Sequence, residues 1–111
     1  MATSRFQVKL SAAGKRYFVL CAKNNKVILT SEEYESKGSV YKGIESVRTN
    51  SVKDDMYQKF VGEDGQYYFN LRAGNNKVIG VSEGYKWKWG RWIGIRSVRN
   101  NGPEALVDWV A

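Results

Sequence analysis

The sequence predicts an α+β fold in which two tandem strand-strand-strand-helix repeats pack as one domain around a pseudo-twofold axis. Three observations lead to this prediction. Shifting the chain by 51 positions aligns residues 6–50 with residues 57–101 without a gap, and nearly half of the paired residues are identical. Within each repeat, a period-two apolar pattern typical of strands is followed by a helical one. A unit of about 50 residues also has too little core to fold alone.

Three strands open the first repeat. Residues 6–10 are a short strand, and residues 16–22 are a second one in which Phe18, Leu20 and Ala22 share a face. Residues 26–31 are the third strand. The second repeat carries the same pattern 51 residues later.

Asn24-Asn25 lies between the second and third strands and predicts a two-residue type I′ turn, because asparagine tolerates positive φ. Asn75-Asn76 repeats the arrangement. A turn of this length pairs Leu20 with Leu29 and Ala22 with Val27, so one face of the hairpin is continuously apolar.

A helix covers that face. Ser36 is the predicted N-cap, and an apolar stripe follows at positions 40, 44 and 47. In the second repeat the stripe consists of Ile95 and Val98, while Arg91 replaces the valine at position 40.

The predicted organisation is a single domain over residues 1–111. It comprises repeat one at 6–50, a linker at 51–56, repeat two at 57–101 and a C-terminal tail at 102–111. Asn101-Gly102-Pro103 ends the second helix. The tail either adds an edge strand or frays.

Charge and composition limit the function. The chain has 18 Lys and Arg against 11 Asp and Glu, a net charge of +7, no His and one Cys. Without His there is no imidazole base or His-ligated metal, and one Cys makes neither an internal disulfide nor a multi-thiolate zinc site. No phosphate loop or dinucleotide fingerprint occurs. We therefore expect no enzymatic activity, no cofactor and no metal.

No segment approaches the roughly 20 apolar residues that a membrane span needs, and residues 1–10 lack the apolar segment of a signal peptide. These features favour a soluble protein in a reducing compartment.

Several motifs occur in both repeats: Phe-x-Leu-x-Ala, Asn-Asn, Val-Ile, Ser-Glu-x-Tyr and Gly-Ile-x-Ser-Val-Arg-x-Asn. With these motifs the chain resembles the YegP-like family of small bacterial proteins. The resemblance covers nearly the whole chain. It implies a strand-strand-strand-helix repeat with an internal pseudo-twofold, and it implies no activity. The expected location is the bacterial cytoplasm if the chain is a natural protein.

The second helix departs from the family pattern. The family usually has small or polar residues there, whereas residues 86–93 of this chain read Lys-Trp-Lys-Trp-Gly-Arg-Trp-Ile. On a helical wheel of about 100° per residue, Trp89, Trp92, Ile93 and Arg96 point away from the core stripe. The first repeat has an ordinary solvated face at the same positions. The predicted protein-binding residues are Trp89, Trp92, Ile93 and Arg96, with Trp87, Lys88, Arg91 and Tyr85 around them.

A protein-binding surface is the favoured interpretation, because Trp and Arg are enriched at interface hot spots. Trp109 of the tail could extend this surface. A sharper version is an engineered binder, or an inhibitor that blocks an enzyme's cleft, placed on a bacterial scaffold.

Two alternatives remain. In one, the protein is an uncharacterised bacterial protein whose tryptophans pack internally or in a homodimer. In the other, the five cations and no acids between residues 84 and 101 bind single-stranded nucleic acid or an anionic membrane.

Other residues have structural interpretations. The repeated Ser-Glu of Ser31-Glu32 and Ser82-Glu83 is expected to shape a strand end rather than to form a catalytic pair. Cys21 is expected to be a half-buried structural thiol. Glycines 43 and 94 interrupt the helices, which indicates a close contact with a neighbouring element.

Overall fold

The computed structural model describes residues 3–110, which form a seven-stranded sheet with two helices packed against one face. The strands are β1 (Arg5–Leu10), β2 (Arg16–Cys21), β3 (Val27–Ser31), β4 (Tyr57–Val61), β5 (Tyr67–Arg72), β6 (Val78–Val81) and β7 (Leu106–Trp109). The helices are α1 (Lys37–Asn50) and α2 (Lys88–Asn101), and a short 3-10 turn, Asp54–Met56, precedes β4.

The strand order shows the duplication directly. It reads β4-β5-β6-β3-β2-β1-β7, so the two three-stranded units meet at the centre of the sheet. There β3 and β6 pair antiparallel, with Thr30 opposite Val81 and Ser31 opposite Gly80. The predicted α+β fold of two repeats related by a pseudo-twofold is therefore confirmed.

Both helices cover a common core. Ser36 caps α1, because its side chain accepts a hydrogen bond from the Ser39 N–H at 3.1 Å. The predicted stripe of Val40, Ile44 and Val47 is fully buried. Side chains from the strands of both repeats belong to the same cluster, so neither repeat has a core of its own.

The predicted two-residue turn is wrong. Of the two asparagines in each turn, only the second, Asn25 or Asn76, has positive φ, at 68° in both cases. A type I′ turn needs positive φ at both central positions. The Ala22 N–H donates to the Lys26 carbonyl at 2.9 Å, which closes a three-residue loop. Ala22 therefore lies opposite Lys26 rather than Val27. The register shifts after Leu20, whose predicted pairing with Leu29 is correct.

The helix glycines make room for the tyrosine of the Ser-Glu-x-Tyr motif. A Cβ on Gly43 would overlap the ring of Tyr34, and a Cβ on Gly94 would overlap the ring of Tyr85. The close contact expected from glycine in a helix is therefore present, and its partner is an aromatic ring between helix and sheet.

The tail forms an edge strand. β7 pairs parallel to β1, with Val107 opposite Phe6 and Trp109 opposite Val8. The tail was expected either to add an edge strand or to fray, and its described residues form the edge strand.

Candidate protein-binding surface

The exposed face of α2 carries a cluster of large apolar side chains, which we call the tryptophan face. The helix begins at Trp87, which occupies the N-cap position without a side-chain capping hydrogen bond. The members of the face, with their exposed fractions, are Trp87 at 61%, Trp89 at 64%, Trp92 at 58% and Ile93 at 48%. Monomeric proteins rarely expose contiguous apolar patches larger than a few hundred Å2, so such a cluster marks a candidate interaction surface.

Exposed basic side chains surround the tryptophan face. Lys88 and Arg96 both lie in solvent. The Arg96 guanidinium lies 5.6 Å from the centre of the Trp92 ring, which is a cation–π contact. Among the described residues, Arg96 makes no ion pair with an acid, so its charge is available to a partner.

Arg91 and Tyr85 have a different place from the other predicted residues. Arg91 is half-buried, 5.2 Å from the centre of the Tyr67 ring, and its Nη1 donates to the Phe60 carbonyl at 3.3 Å. Tyr85 is half-buried beside Gly94. Burial raises the pKa of the Tyr85 hydroxyl, with a smaller contribution from the Glu83 carboxylate. These two side chains therefore lie between α2 and the sheet rather than on the tryptophan face.

A groove runs along one side of the tryptophan face, between α2 and β4. It encloses about 580 Å3, and Trp92 forms one wall. The other lining residues are Asp54, Tyr57, Lys59, Ile95, Arg96, Arg99 and Asn100. Arg99 pairs with Asp54 and donates to the Val52 carbonyl at 3.0 Å, so the linker occupies its guanidinium.

Lys59 and Tyr57 of this groove were not among the predicted site residues, because the repeat alignment does not show which strand lies at the edge of the sheet. One signal was available in the sequence: Lys59 stands where the first repeat has Val8, a charged residue at an apolar position.

Trp109 does not extend the tryptophan face. Its ring centre lies 5.2 Å from that of Tyr41 in α1, and its Nε1 donates to the Tyr41 hydroxyl at 2.9 Å. The Lys37 ammonium lies 5.8 Å from the same ring. The tail tryptophan therefore covers the first helix.

The Ser-Glu motif has the structural role expected of it. Ser31 Oγ accepts a hydrogen bond from the Phe18 N–H at 2.9 Å and donates to the Glu32 carbonyl at 2.8 Å. Ser82 makes the same two bonds, to Phe69 and Glu83. Both hydroxyls are used in fixing the strand end.

Cys21 is more buried than expected. Only 2% of it is exposed. Its Sγ lies 3.8 Å from the side-chain amide of Gln7.

Two further features concern residues 3–110 only. No group of three or more His, Cys, Asp or Glu side chains is placed to hold a metal ion. Neither helix in this part of the chain is long and apolar enough to cross a membrane.

The fold and surface together define a class: a tandem-repeat α+β domain with a two-layer core and an aromatic, basic face on its second helix. A family model described as a domain of unknown function, DUF1508, matches residues 11–58 and again residues 63–108. The chain belongs to this family.

Relatives and solved structures agree with this assignment. The UPF0339 protein YegP of Escherichia coli K12 is 44% identical over 102 residues, which cover 92% of this chain and 93% of that protein. A UPF0339 protein of Bordetella pertussis is 47% identical over 97 residues, covering 86% of this chain and 87% of that protein. The solution structure of E. coli yegP, described as a protein of unknown function, has a TM-score of 0.91 at 41% identity and covers 99% of this chain and 95% of its own.

Proposed function

We propose that this protein is a non-catalytic binding domain that engages a protein partner through the tryptophan face of α2. The observation that carries the proposal is the exposure of Trp87, Trp89 and Trp92, each more than half accessible, on a single helix end. Burying such side chains at an interface removes their apolar surface from water and stabilises the complex.

Charge favours a partner with an acidic surface. Residues 84–101 contain five cations and no acid, and the whole chain carries +7. Complementary charge speeds association, while the buried tryptophans supply most of the affinity. We further propose that the protein acts in the bacterial cytoplasm, because the relatives reported above are bacterial. The proposal that the tryptophan face binds a protein partner holds equally if that face was engineered onto a bacterial scaffold.

Capture from a bacterial lysate tests this proposal. The immobilised chain is compared with the double variant Trp89→Gln/Trp92→Glu, and each retained protein is identified and purified for a direct binding measurement. We expect a discrete protein that binds the unmodified chain and not the double variant, at low salt and at about 1 M salt, because a tryptophan-centred interface is weakly screened.

A matched control is Lys42→Glu in α1, which changes the same position of the first repeat as Ile93 and is expected to leave capture unchanged. Retention of nucleic acid that is released steeply with salt would favour the anionic alternative instead. Self-association that the double variant abolishes would favour the homodimer.

A further inference from the structure

The two outer edges of the duplicated sheet are treated differently. In the first repeat, β1 pairs with β2 on one side and with β7 on the other. In the second repeat, its counterpart β4 pairs among the described residues only with β5. An unpaired edge presents a row of backbone N–H and C=O groups, which is a template for another strand.

The first repeat shows how such an edge is covered. The Leu106 N–H donates to the Ser4 carbonyl at 3.2 Å, and the Val110 N–H donates to the Val8 carbonyl at 3.0 Å. Trp109 then packs on Tyr41 of α1. β7 is thus held by backbone bonds to β1 and by a side-chain contact with the neighbouring helix.

In the second repeat, the groove beside the tryptophan face lies at the position equivalent to the site of β7 in the first repeat. Tyr57 and Lys59 stand where the first repeat has Phe6 and Val8, and Trp92 stands where it has Tyr41. Phe6 and Val8 are fully buried in the core. Their counterparts are accessible, with Tyr57 half-buried and Lys59 exposed.

We propose that β4 accepts an extended segment of the partner protein as an eighth strand, parallel to β4 at its free edge. The inward side chains of that strand reach α2, as β7 lies at the edge of β1 with Trp109 packed on Tyr41 of α1. The identity of the occupant as part of a protein partner rests on the function proposed above. Strand addition of this kind contributes main-chain hydrogen bonds to the affinity of the complex and takes its specificity from the side-chain positions.

The lining residues define the chemistry of that segment. The side chain opposite Tyr57 is apolar, as Val107 is opposite Phe6. The next inward side chain lies opposite Lys59 and beside Arg96, which replaces the Glu45 of the first helix. Neither cation pairs with an acid in residues 3–110. The second position therefore takes a carboxylate.

Charge argues against a second copy as the occupant. Pairing two β4 edges would bring together two α2 helices, each from a segment with five cations and no acid. Like charges so placed repel, whereas an acidic segment neutralises them.

Peptide titration into the full chain tests the proposal. The probe is the blocked hexapeptide Ala-Leu-Val-Asp-Glu-Val, which is residues 105–110 with Glu in place of Trp109. We expect saturable shifts of the backbone amide signals of residues 57–61 and of α2. A matched peptide with Lys in place of that Glu is expected to bind at least about ten-fold more weakly.

Two substitutions at Lys59 separate pairing from charge. By equivalence with Val8, the backbone groups of Lys59 face the free edge, where proline removes an N–H without breaking the ladder to β5. Lys59→Pro is expected to weaken binding about ten-fold, and Lys59→Gln only a few-fold. Lys59→Glu, which keeps the backbone, is expected to reverse the preference between the acidic and basic peptides.

Each remaining outcome contradicts the proposal. Absence of shifts along β4 at saturating peptide, shifts confined to β1 and β7, or dimerisation of the free chain through β4 would overturn it. Lys42 lies on α1 and does not line the groove, so Lys42→Glu should leave peptide binding unchanged. Peptide binding without partner capture would defeat the proposed function alone, and partner capture unaffected by Lys59→Pro would defeat the added strand alone.

Discussion

Tyr34 and Tyr85 show how each repeat holds a polar aromatic side chain between its helix and the sheet. The Tyr34 ring stacks on Phe18 with centres 6.1 Å apart and fits against Gly43. Burial, assisted by the Glu32 carboxylate, raises the pKa of Tyr34 to about 12. The glycine in the helix predicted a close contact, but the sequence could not identify its partner, since the ring comes from the loop that precedes the helix.

The raised pKa of Tyr34 predicts a loss of stability in alkali. Between the unfolded pKa of about 10 and the folded pKa of about 12, the native state binds more protons than the unfolded state. The free energy of unfolding should therefore fall as pH rises through that window. Chemical denaturation of the unmodified chain and of Tyr34→Phe measures this effect, and the variant should show a shallower fall. Equal slopes would show that the Tyr34 hydroxyl is not shielded from water.

At the scale of the element, the two helices differ most where they begin. Ser36 and Trp87 have nearly the same backbone conformation, with φ and ψ of −138° and 160° against −129° and 151°. Only Ser36 caps its helix through its side chain. The second helix therefore keeps an exposed tryptophan at a position where a short polar side chain would stabilise it, as expected if Trp87 serves binding.

Trp87→Ser tests whether a capping side chain at this position stabilises the protein. A serine at this position would accept a hydrogen bond from the Gly90 N–H, as Ser36 does from Ser39, and should raise the free energy of unfolding by about 1 kcal/mol. The matched control Ser36→Ala should lower it by a similar amount. Urea denaturation of both variants gives the two values. A destabilised Trp87→Ser variant would mean that the tryptophan supports the fold.

Other elements show what could be predicted from sequence and what could not. The apolar stripe of α1 identified its buried face, because helical period and burial coincide at Val40, Ile44 and Val47. The predicted length of the Asn24-Asn25 turn was wrong, because two asparagines permit positive φ at two positions without requiring it at both.

At the scale of the molecule, the duplication determines the architecture. The differences between the two repeats determine the candidate site. The repeat alignment predicted the pseudo-twofold, since two small units must share one core. It could not predict the groove, because that depends on β7 pairing with β1 and leaving β4 at an edge. The tryptophan face was predicted because α2 departs from α1 at outward positions. The groove beside it required the order of the strands.

The central claim is that the tryptophans of α2 bind a partner and do not stabilise the fold. Trp92→Ala tests this claim most directly. Its free energy of unfolding should stay within about 1 kcal/mol of the unmodified chain, while binding of the captured protein is lost. Tyr41→Ala, at the equivalent position of α1, should cost more stability because it removes the contact with Trp109. A loss of several kcal/mol for Trp92→Ala, or unchanged binding, would contradict the account.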